Sequence, residues 1–291
     1  MYTVTTESTA DLPFEYLQSR NCNVIFYTYL IDEQEYVDDM GRNADALLNF
    51  YELVKHKRPI TSQISPERYE EFFREQLKNG DVLHLAFSNG LSQSVRNAML
   101  AAETVNKDYD DRKVVVVDSL CGGGGFGLFV KGVLDERDKG VNFHQLTEWA
   151  TVNRTKTHLL FFSTDLTFFR RSGRVSAPVM LIGNLLHICP LMRVGKEGKI
   201  AVYSQQITAK KALKRVLDDM EKLATDGKDY CGKVIIQHSN FPNMAQQTKE
   251  CMLQRFPKLQ DVEIHDIGMV MASHCGPGTI AIYFWGDERT Y

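Results

Sequence analysis

The stretch VVVVDSLCGGGGFGLFVKG, residues 114–132, decides how the first half of the chain is read. Four valines run into Asp118 and Ser119, four glycines follow at positions 122–125, and an apolar run takes over. Strand, tight turn, helix is the layout this predicts. A nucleotide-binding loop has the same layout, so the glycines need a physical account. A Walker loop requires Lys-Ser or Lys-Thr behind its last glycine, and neither follows here. Gly122, Gly124 and Gly127 spell G-x-G-x-x-G, as any glycine run would, and the acidic residue at the right distance, Asp138, lies in the polar turn RDKGVN instead of at a strand end. We therefore read the glycines as positions where something bulky approaches the backbone, either a ligand's hydrocarbon or the neighbouring domain.

Working outward, DVLHLAF (81–87) reads as a buried strand. SPERYEEFFREQLKN (65–79) reads as a helix opened by Ser65-Pro66, with Tyr69, Phe72, Phe73 and Leu77 at helical spacing, and VRNAMLAAETVNK (95–107) as another. Strands alternating with helices predict a parallel sheet. Past residues 150–160 the pattern changes. LMRVGKEGKIAVYSQQ (191–206) is a hairpin, and TAKKALKRVLDDMEKLATDG (208–227) is a helix capped by Thr208 with Gly227 near its end. KVIIQHS, VEIHDI and TIAIYFW are further strands. The expected fold class is α/β, with two α/β domains. Residues 1–155 form a largely parallel sheet flanked by helices; residues 156–291 form a mixed sheet with helices.

Of the 291 residues 43% are hydrophobic and 24% charged, the balance of a soluble globular protein. A net charge of −3 excludes the basic excess of a dedicated nucleic-acid binder. The opening MYTVTTESTADLP has no basic residue before an apolar run, unlike a signal peptide. The longest apolar stretch, VMLIGNLLHICPLM (179–192), is interrupted by Asn184, His187 and Pro190 and is too short to span a bilayer. The six cysteines are scattered without C-x-x-C spacing, which predicts reduced, buried thiols in a cytoplasmic protein. No His, Cys or Asp cluster has metal spacing, so neither a metal nor a cofactor is expected.

Four polar segments recur between a predicted strand and a predicted helix: TESTADLP (6–13), TSQIS (61–65), FSNGLSQS (87–94) and DSLCGGGG (118–125). Taken singly, each Ser or Thr caps a helix. Together, at the carboxyl ends of a parallel sheet, they form a ring of hydroxyls and backbone N–H groups suited to an anion. GLSQS (90–94) also nearly spells a nucleophile elbow, with Asp266 and His274 following in hydrolase order. A serine hydrolase acting on an acyl ester through Ser92 is therefore a second reading. Its last glycine is replaced by Ser94, and no HGG-type oxyanion segment is present. Near the end, HDIGMVMASHCGPGTIAIYF (265–284) places His274 before a Gly-Pro-Gly turn, where an imidazole N–H can donate to a carboxylate. FFRRSGRVSAP (168–178) clusters Arg170, Arg171 and Arg174, a basic lip for a phosphorylated or acidic partner. His84, His144, His158, His187 and His238 are read as structural.

TTESTADLP, TSQIS, FSNGLSQS, the DS-glycine segment, RRSGRVS and HCGPG, in this order over essentially the whole chain, resemble the DegV family. The resemblance implies a bacterial cytoplasmic fatty-acid-binding protein with an EDD-type fold and no catalysis of its own. Its buried acyl chain would lie between or beside two α/β domains. It implies presentation of the fatty acid to a separate ATP-dependent kinase, related to dihydroxyacetone kinases, which makes acyl phosphate for phospholipid synthesis. It also allows transient membrane contact. Carried over by position, the carboxylate-binding residues are Thr61, Ser62, Ser88, Asn89, Ser92 and His274, with Leu91 and Gln93 in the same loop and Arg171 and Arg174 facing the kinase. Phe126, Phe129, Met180 and Ile182 are among the residues expected to shape the pocket. The sequence departs from the family pattern at Glu7, where the family has Asp, at Asn89 for Ser, at Gln93 for Gly and at Cys189 for Lys. Burying about 15 methylenes at ~0.8 kcal/mol each contributes roughly 10 kcal/mol gross, so the head group needs only a few hydrogen bonds.

Overall fold

The computed structural model describes residues 1–43, 45–175, 188–259 and 261–291. Met180 and Ile182 lie outside the described residues. The chain divides into two compact units, Met1–Arg154 with Gly268–Val270, and Thr155–Ile267 with Met271–Tyr291.

The first unit contains strands β1 (Tyr2–Glu7), β2 (Cys22–Ile25), β3 (Thr28–Ile31), β4 (Gln34–Val37), β5 (Pro59–Thr61), β6 (Asp81–Ala86) and β7 (Val114–Asp118). Its helices are α1 (Phe14–Ser19), α2 (Ala46–Val54), α3 (Pro66–Leu77), α4 (Ser94–Asn106), α5 (Gly124–Arg137) and α6 (Phe143–Asn153). β2, β1, β6 and β7 form a parallel sheet in that order. The chain leaves β1 toward β2 on one side, whereas β6 and β7 lie on the other. The loops after β1 and β6 therefore diverge at a topological switch point, where open α/β sheets bind ligands.

All four hydroxyl-rich segments do lie between a strand and a helix, but capping accounts for only one helix start. Ser65 accepts the Arg68 N–H at 3.4 Å and Pro66 occupies the first turn of α3, which buries Tyr69, Phe73 and Leu77. Gln93 and Gly123 precede α4 and α5 without a side-chain cap.

One element escapes the sequence reading. TSQIS follows β5, which belongs to a separate antiparallel sheet in the order β4-β3-β5. β3 and β4 are joined through Asp32 and Glu33, both left-handed at φ 49° and 67°. That is a type I′ turn without the usual Asn-Gly, so its sequence signal is missing. The stacked rings of Tyr29 and Tyr36, 5.3 Å apart, pack across this pair.

The second unit contains β8 (Thr157–Ser163), β9 (Cys189–Val194), β10 (Ile200–Gln206), β11 (Val234–Ser239), β12 (Val262–Asp266) and β13 (Thr279–Trp285), with α7 (Thr167–Ser172), α8 (Ala209–Leu223), α9 (Pro242–Arg255) and, from Met271 onward, α10 (Met269–Cys275). The sheet runs β10-β9-β8-β13-β11-β12, and only β11 and β12 pair in parallel. The predicted β9–β10 hairpin and the Thr208 cap, which accepts the Lys211 N–H at 3.3 Å, are both present. α8 buries Ala212, Leu213, Val216, Leu217 and Met220, a stripe at helical spacing against the sheet. Each large apolar side chain so buried stabilises the unit by about 1.5–3 kcal/mol. Among the described residues no helix is long and apolar enough to cross a membrane.

Candidate functional site

Glu7 ends β1 at the switch point and is fully buried. Its Oε1 accepts the Tyr69 hydroxyl at 2.5 Å and lies 3.4 Å from His84 Nε2. Its Oε2 accepts the Phe87 N–H at 2.9 Å and the Tyr27 hydroxyl at 3.3 Å. The other His84 nitrogen is 2.9 Å from the Thr5 hydroxyl. Donors from α3, from the start of the loop after β6 and from the segment after β2 thus engage both carboxylate oxygens, which is how a buried carboxylate is tolerated. Burial first, and the neighbouring Glu7 second, push both the Tyr27 and Tyr69 phenols well above their ordinary range, so both stay protonated as donors. His84, expected to be merely structural, is part of this hub.

The loop after β6 starts from the hub through the Phe87 N–H. Ser88 is buried, with its Oγ accepting the Gly90 N–H at 3.1 Å and its carbonyl accepting the Leu91 and Ser92 N–H groups at 3.0 Å. Asn89 directs its N–H toward the Asp118 carboxylate at 3.4 Å, while its Oδ1 accepts Arg96 Nε at 3.1 Å. Asp118, at the end of β7, also accepts the Leu120 N–H at 2.8 Å, and burial raises its carboxyl above the ordinary range. Ser92 lies 3.2 Å from Ser94 Oγ and accepts the Ser94 N–H at 3.2 Å.

Thr61 ends β5 and pairs with Tyr29, and the Ser62 N–H donates to the Thr28 carbonyl at 3.0 Å. The TSQIS turn is tied to the Ser88–Ser94 loop twice. The Ile64 N–H donates to Ser94 Oγ at 3.1 Å, and Asn97 Nδ2 donates to the Ile64 carbonyl at 2.8 Å. Five of the six residues expected at a carboxylate thus sit on two adjoining turns of the first unit.

The sixth, His274, is in the second unit near the end of α10, half-buried. Burial first, and the Arg174 charge second, push its imidazole down from 6.5 to about 4, so it is neutral at pH 7. Arg174 is exposed and donates to the Ser172 carbonyl at 2.6 Å, and Arg171 is exposed on α7. Gly276, at φ 65°, and Gly278, at φ 84°, make the following turn, where a Cβ would strike the Phe168 ring and the Thr164 hydroxyl.

Gly122 and Gly127 each approach groups of their own unit. A Cβ on Gly122 would meet the Phe87 ring at 2.5 Å and Leu91 at 3.3 Å, and one on Gly127 the Ala10 carbonyl oxygen at 2.5 Å and Leu12 at 3.0 Å. They bring α5 and its leading turn against the loops after β1 and β6 of the same unit. Asp266, the acid of the hydrolase reading, has its Oδ1 3.3 Å from His238 Nδ1. Cys22, Cys121, Cys189 and Cys275 are buried thiols as expected, but Cys231 is exposed. Tyr27 and Arg96 contact these turns and the hub without a sequence signal, whereas Tyr69 was read only as a helix-spaced apolar position and Ser94 only as one hydroxyl of FSNGLSQS. A lone Tyr or Arg in an alternating pattern carries nothing to distinguish it from core or surface.

A family model described as an uncharacterised protein, DegV family, matches residues 1–287, and the chain belongs to that family. A DegV domain-containing protein of Streptococcus pyogenes is 31% identical over 293 residues, covering 99% of each chain. Among solved structures, the fatty-acid-binding DegV family protein of Streptococcus agalactiae is 25% identical, with a TM-score of 0.86 and 99% of each chain covered. The Streptococcus pneumoniae fatty acid kinase (Fak) B3 protein, loaded with linoleic acid, is 21% identical, with a TM-score of 0.83, 99% of this chain and 100% of that chain covered.

Proposed function

We propose that this member of the DegV family binds a long-chain fatty acid with its acyl chain buried, holds the head group with Thr61, Ser62, Ser88, Asn89, Ser92 and His274, and presents it to a separate ATP-dependent kinase. The observation that carries the reading is the pairing of two hydroxyl-rich turns at the switch point, joined by the Ile64–Ser94 bond. The buried acids beside them, Glu7 and Asp118, already accept donors from the protein. Such a surface offers hydroxyls and backbone N–H groups to an anion without a repelling free carboxylate. Whole-length likeness to fatty-acid-binding DegV proteins supports it. The neutral His274 beside Arg174 adds a donor and a positive potential in the second unit. Arg171 and Arg174, exposed on and after α7, are the side chains for the kinase to meet. This chain performs no catalysis in this scheme and works in the cytoplasm.

The test is mass spectrometry of the organic extract from purified, undelipidated protein. A fatty acid near one equivalent is expected. An empty extract together with no uptake of added fatty acids overturns the reading. Ser62→Ala and His274→Ala are expected to weaken head-group binding or kinase-dependent phosphorylation while leaving the fold intact.

A further inference from the structure

Asp11 belongs to TESTADLP, a hydroxyl-rich segment from which the proposed head-group set takes no residue. Its side chain is 7% exposed and its backbone is left-handed at φ 50°. A buried carboxylate and a left-handed non-glycine residue each cost stability, so the position is held against local preference. What it meets lies 257 residues further along the chain. The Gly268 N–H donates to Asp11 Oδ2 at 3.1 Å, and a Cβ at residue 268 would lie 2.4 Å from Asp11 Oδ1 and 3.1 Å from its Cγ. Gly268 is not among the glycines with positive φ, so it is the Asp11 carboxylate, and not the backbone angle, that requires glycine there. One residue on, the Tyr29 hydroxyl donates to Met269 Sδ at 3.1 Å. One residue back, the Ile267 N–H donates to the His238 carbonyl at 2.8 Å, within the second unit.

Through these contacts Gly268–Val270 packs with the first unit, while the chain on either side of it belongs to the second. α10 starts inside this strap at Met269 and carries His274, the one proposed head-group residue of the second unit. We infer that Asp11 and Gly268 are positioning residues: their contact fixes the start of α10 in the first unit and, through α10, sets the place of the His274 imidazole at the head group. The inference rests on the proposed fatty-acid reading and deepens it, because it gives TESTADLP a part in head-group recognition. α10 has seven residues. That is about two turns and about 10 Å, so a displacement at Met269 is carried to His274. A methyl group at position 268 falls short of an ordinary 3.4 Å contact with Asp11 by about 1 Å, and the short, buried Asp11 side chain has little room to retreat. A binding group has to be held to within about 0.5 Å, so a shift of that size is enough to cost its hydrogen bond.

The experiment measures binding of hexadecanoic acid and of hexadecanol to delipidated full-length protein and reads the ratio of the two affinities. The alkyl chain is common to both ligands, so the ratio reports the head group and not general damage to the fold. His274→Ala removes a hydrogen bond to the charged head group and is expected to lower the ratio of acid to alcohol affinity about fivefold or more. Gly268→Ala is expected to lower it by about as much, and to lower it no further in the His274→Ala background. Asp11→Asn, which keeps an acceptor for the Gly268 N–H, is expected to hold the wild-type ratio. An unchanged ratio in Gly268→Ala, with or without a common fall for both ligands, marks the contact as merely structural and overturns the inference. So does a Gly268→Ala effect on the ratio that persists in full without His274. If Gly268→Ala is not recovered folded, Asp11→Gly, which accepts the left-handed backbone and removes the carboxylate, must lower the ratio in the same His274-dependent way. Wild-type protein that binds neither ligand refutes the fatty-acid reading, and a wild-type ratio in His274→Ala removes His274 from the head group. The inference falls in both cases, each distinct from a ratio that responds to His274 and not to Gly268.

Discussion

Replacing Glu7 by glutamine keeps the shape of the side chain and removes its charge, which isolates what the carboxylate does at the switch point. The carboxylate accepts from Tyr69, Tyr27 and Phe87, with His84 3.4 Å away, and all of these groups are buried. The amide has one acceptor oxygen and places an NH₂ where the other oxygen was. With the oxygen kept on the Phe87 N–H, which cannot rotate away, the NH₂ faces the Tyr69 hydroxyl and His84. The Tyr69 proton then has to leave its short bond. Charge-assisted hydrogen bonds contribute about 1.5–3 kcal/mol each against ~1 for neutral ones, and a stranded buried donor costs about 1–3 kcal/mol. The expected loss is about 3 kcal/mol. At roughly 2–4 °C per kcal/mol for a unit of about 150 residues, that lowers Tm by roughly 10 °C. The measurement is thermal or urea unfolding of delipidated protein, with the transition of the first unit followed separately, since two units need not unfold together. A Tm within 2 °C of wild type would show that the hub does not depend on the Glu7 charge and would refute the accounting. Tyr69→Phe, which removes one charge-assisted bond, is expected to cost about half as much.

Further outcomes follow from other contacts. Gly127→Ala is expected to destabilise the first unit by about 2 kcal/mol or more, because overpacking against the Ala10 carbonyl oxygen at 2.5 Å outweighs the helix propensity gain of ~1 kcal/mol; an unchanged or raised Tm would contradict it. The His274 imidazole is expected to titrate in the folded protein near 4 instead of 6.5, and Arg174→Ala to raise that midpoint, both read from its proton resonance. Because the folded value is the lower one, His274 supplies stability that is present above pH 6.5 and lost as the pH falls toward 4; stability that does not fall across this window would count against it. Asp11 accepts the Gly268 N–H at 3.1 Å, and burial followed by the neighbouring Asp38 raises its carboxyl well above the ordinary range. Burial also raises Asp38, to about 6. Raised carboxyls stabilise below the unfolded value of 3.8 and lose that contribution as pH rises through the folded values. Asp11→Asn, which keeps an acceptor for Gly268, is therefore expected to raise stability at pH 8 by about 1 kcal/mol and to leave it unchanged at pH 4.

Glycine at 122 and 127 shows how far local reading reaches. The failure of the nucleotide signatures was legible from Asp138 and the missing Lys-Ser, because those are fixed spacings along one chain. What the glycines meet was not legible, because Phe87, Leu91 and Ala10 arrive from distant positions. The β3–β4 hairpin was hidden for a different reason. Its turn holds Asp32 and Glu33 at positive φ, a conformation that tertiary packing imposes against local preference. Order along the chain also says nothing about which histidine a carboxylate joins, and Asp266 joins His238.

The sequence by itself determined the alternation of strands and helices, the change of pattern past residue 150, and the four hydroxyl-rich turns, because periodicity and turn chemistry are local. Motif order was enough to point to the DegV family. Only the tertiary structure decided that Glu7 is a buried hub for Tyr27, Tyr69 and Phe87, that Ser94 ties Ser92 to the Ile64 N–H, and that His274 is neutral. Those properties depend on burial and on which way each proton points, and both are set by groups brought together from strands, helices and loops far apart in the chain.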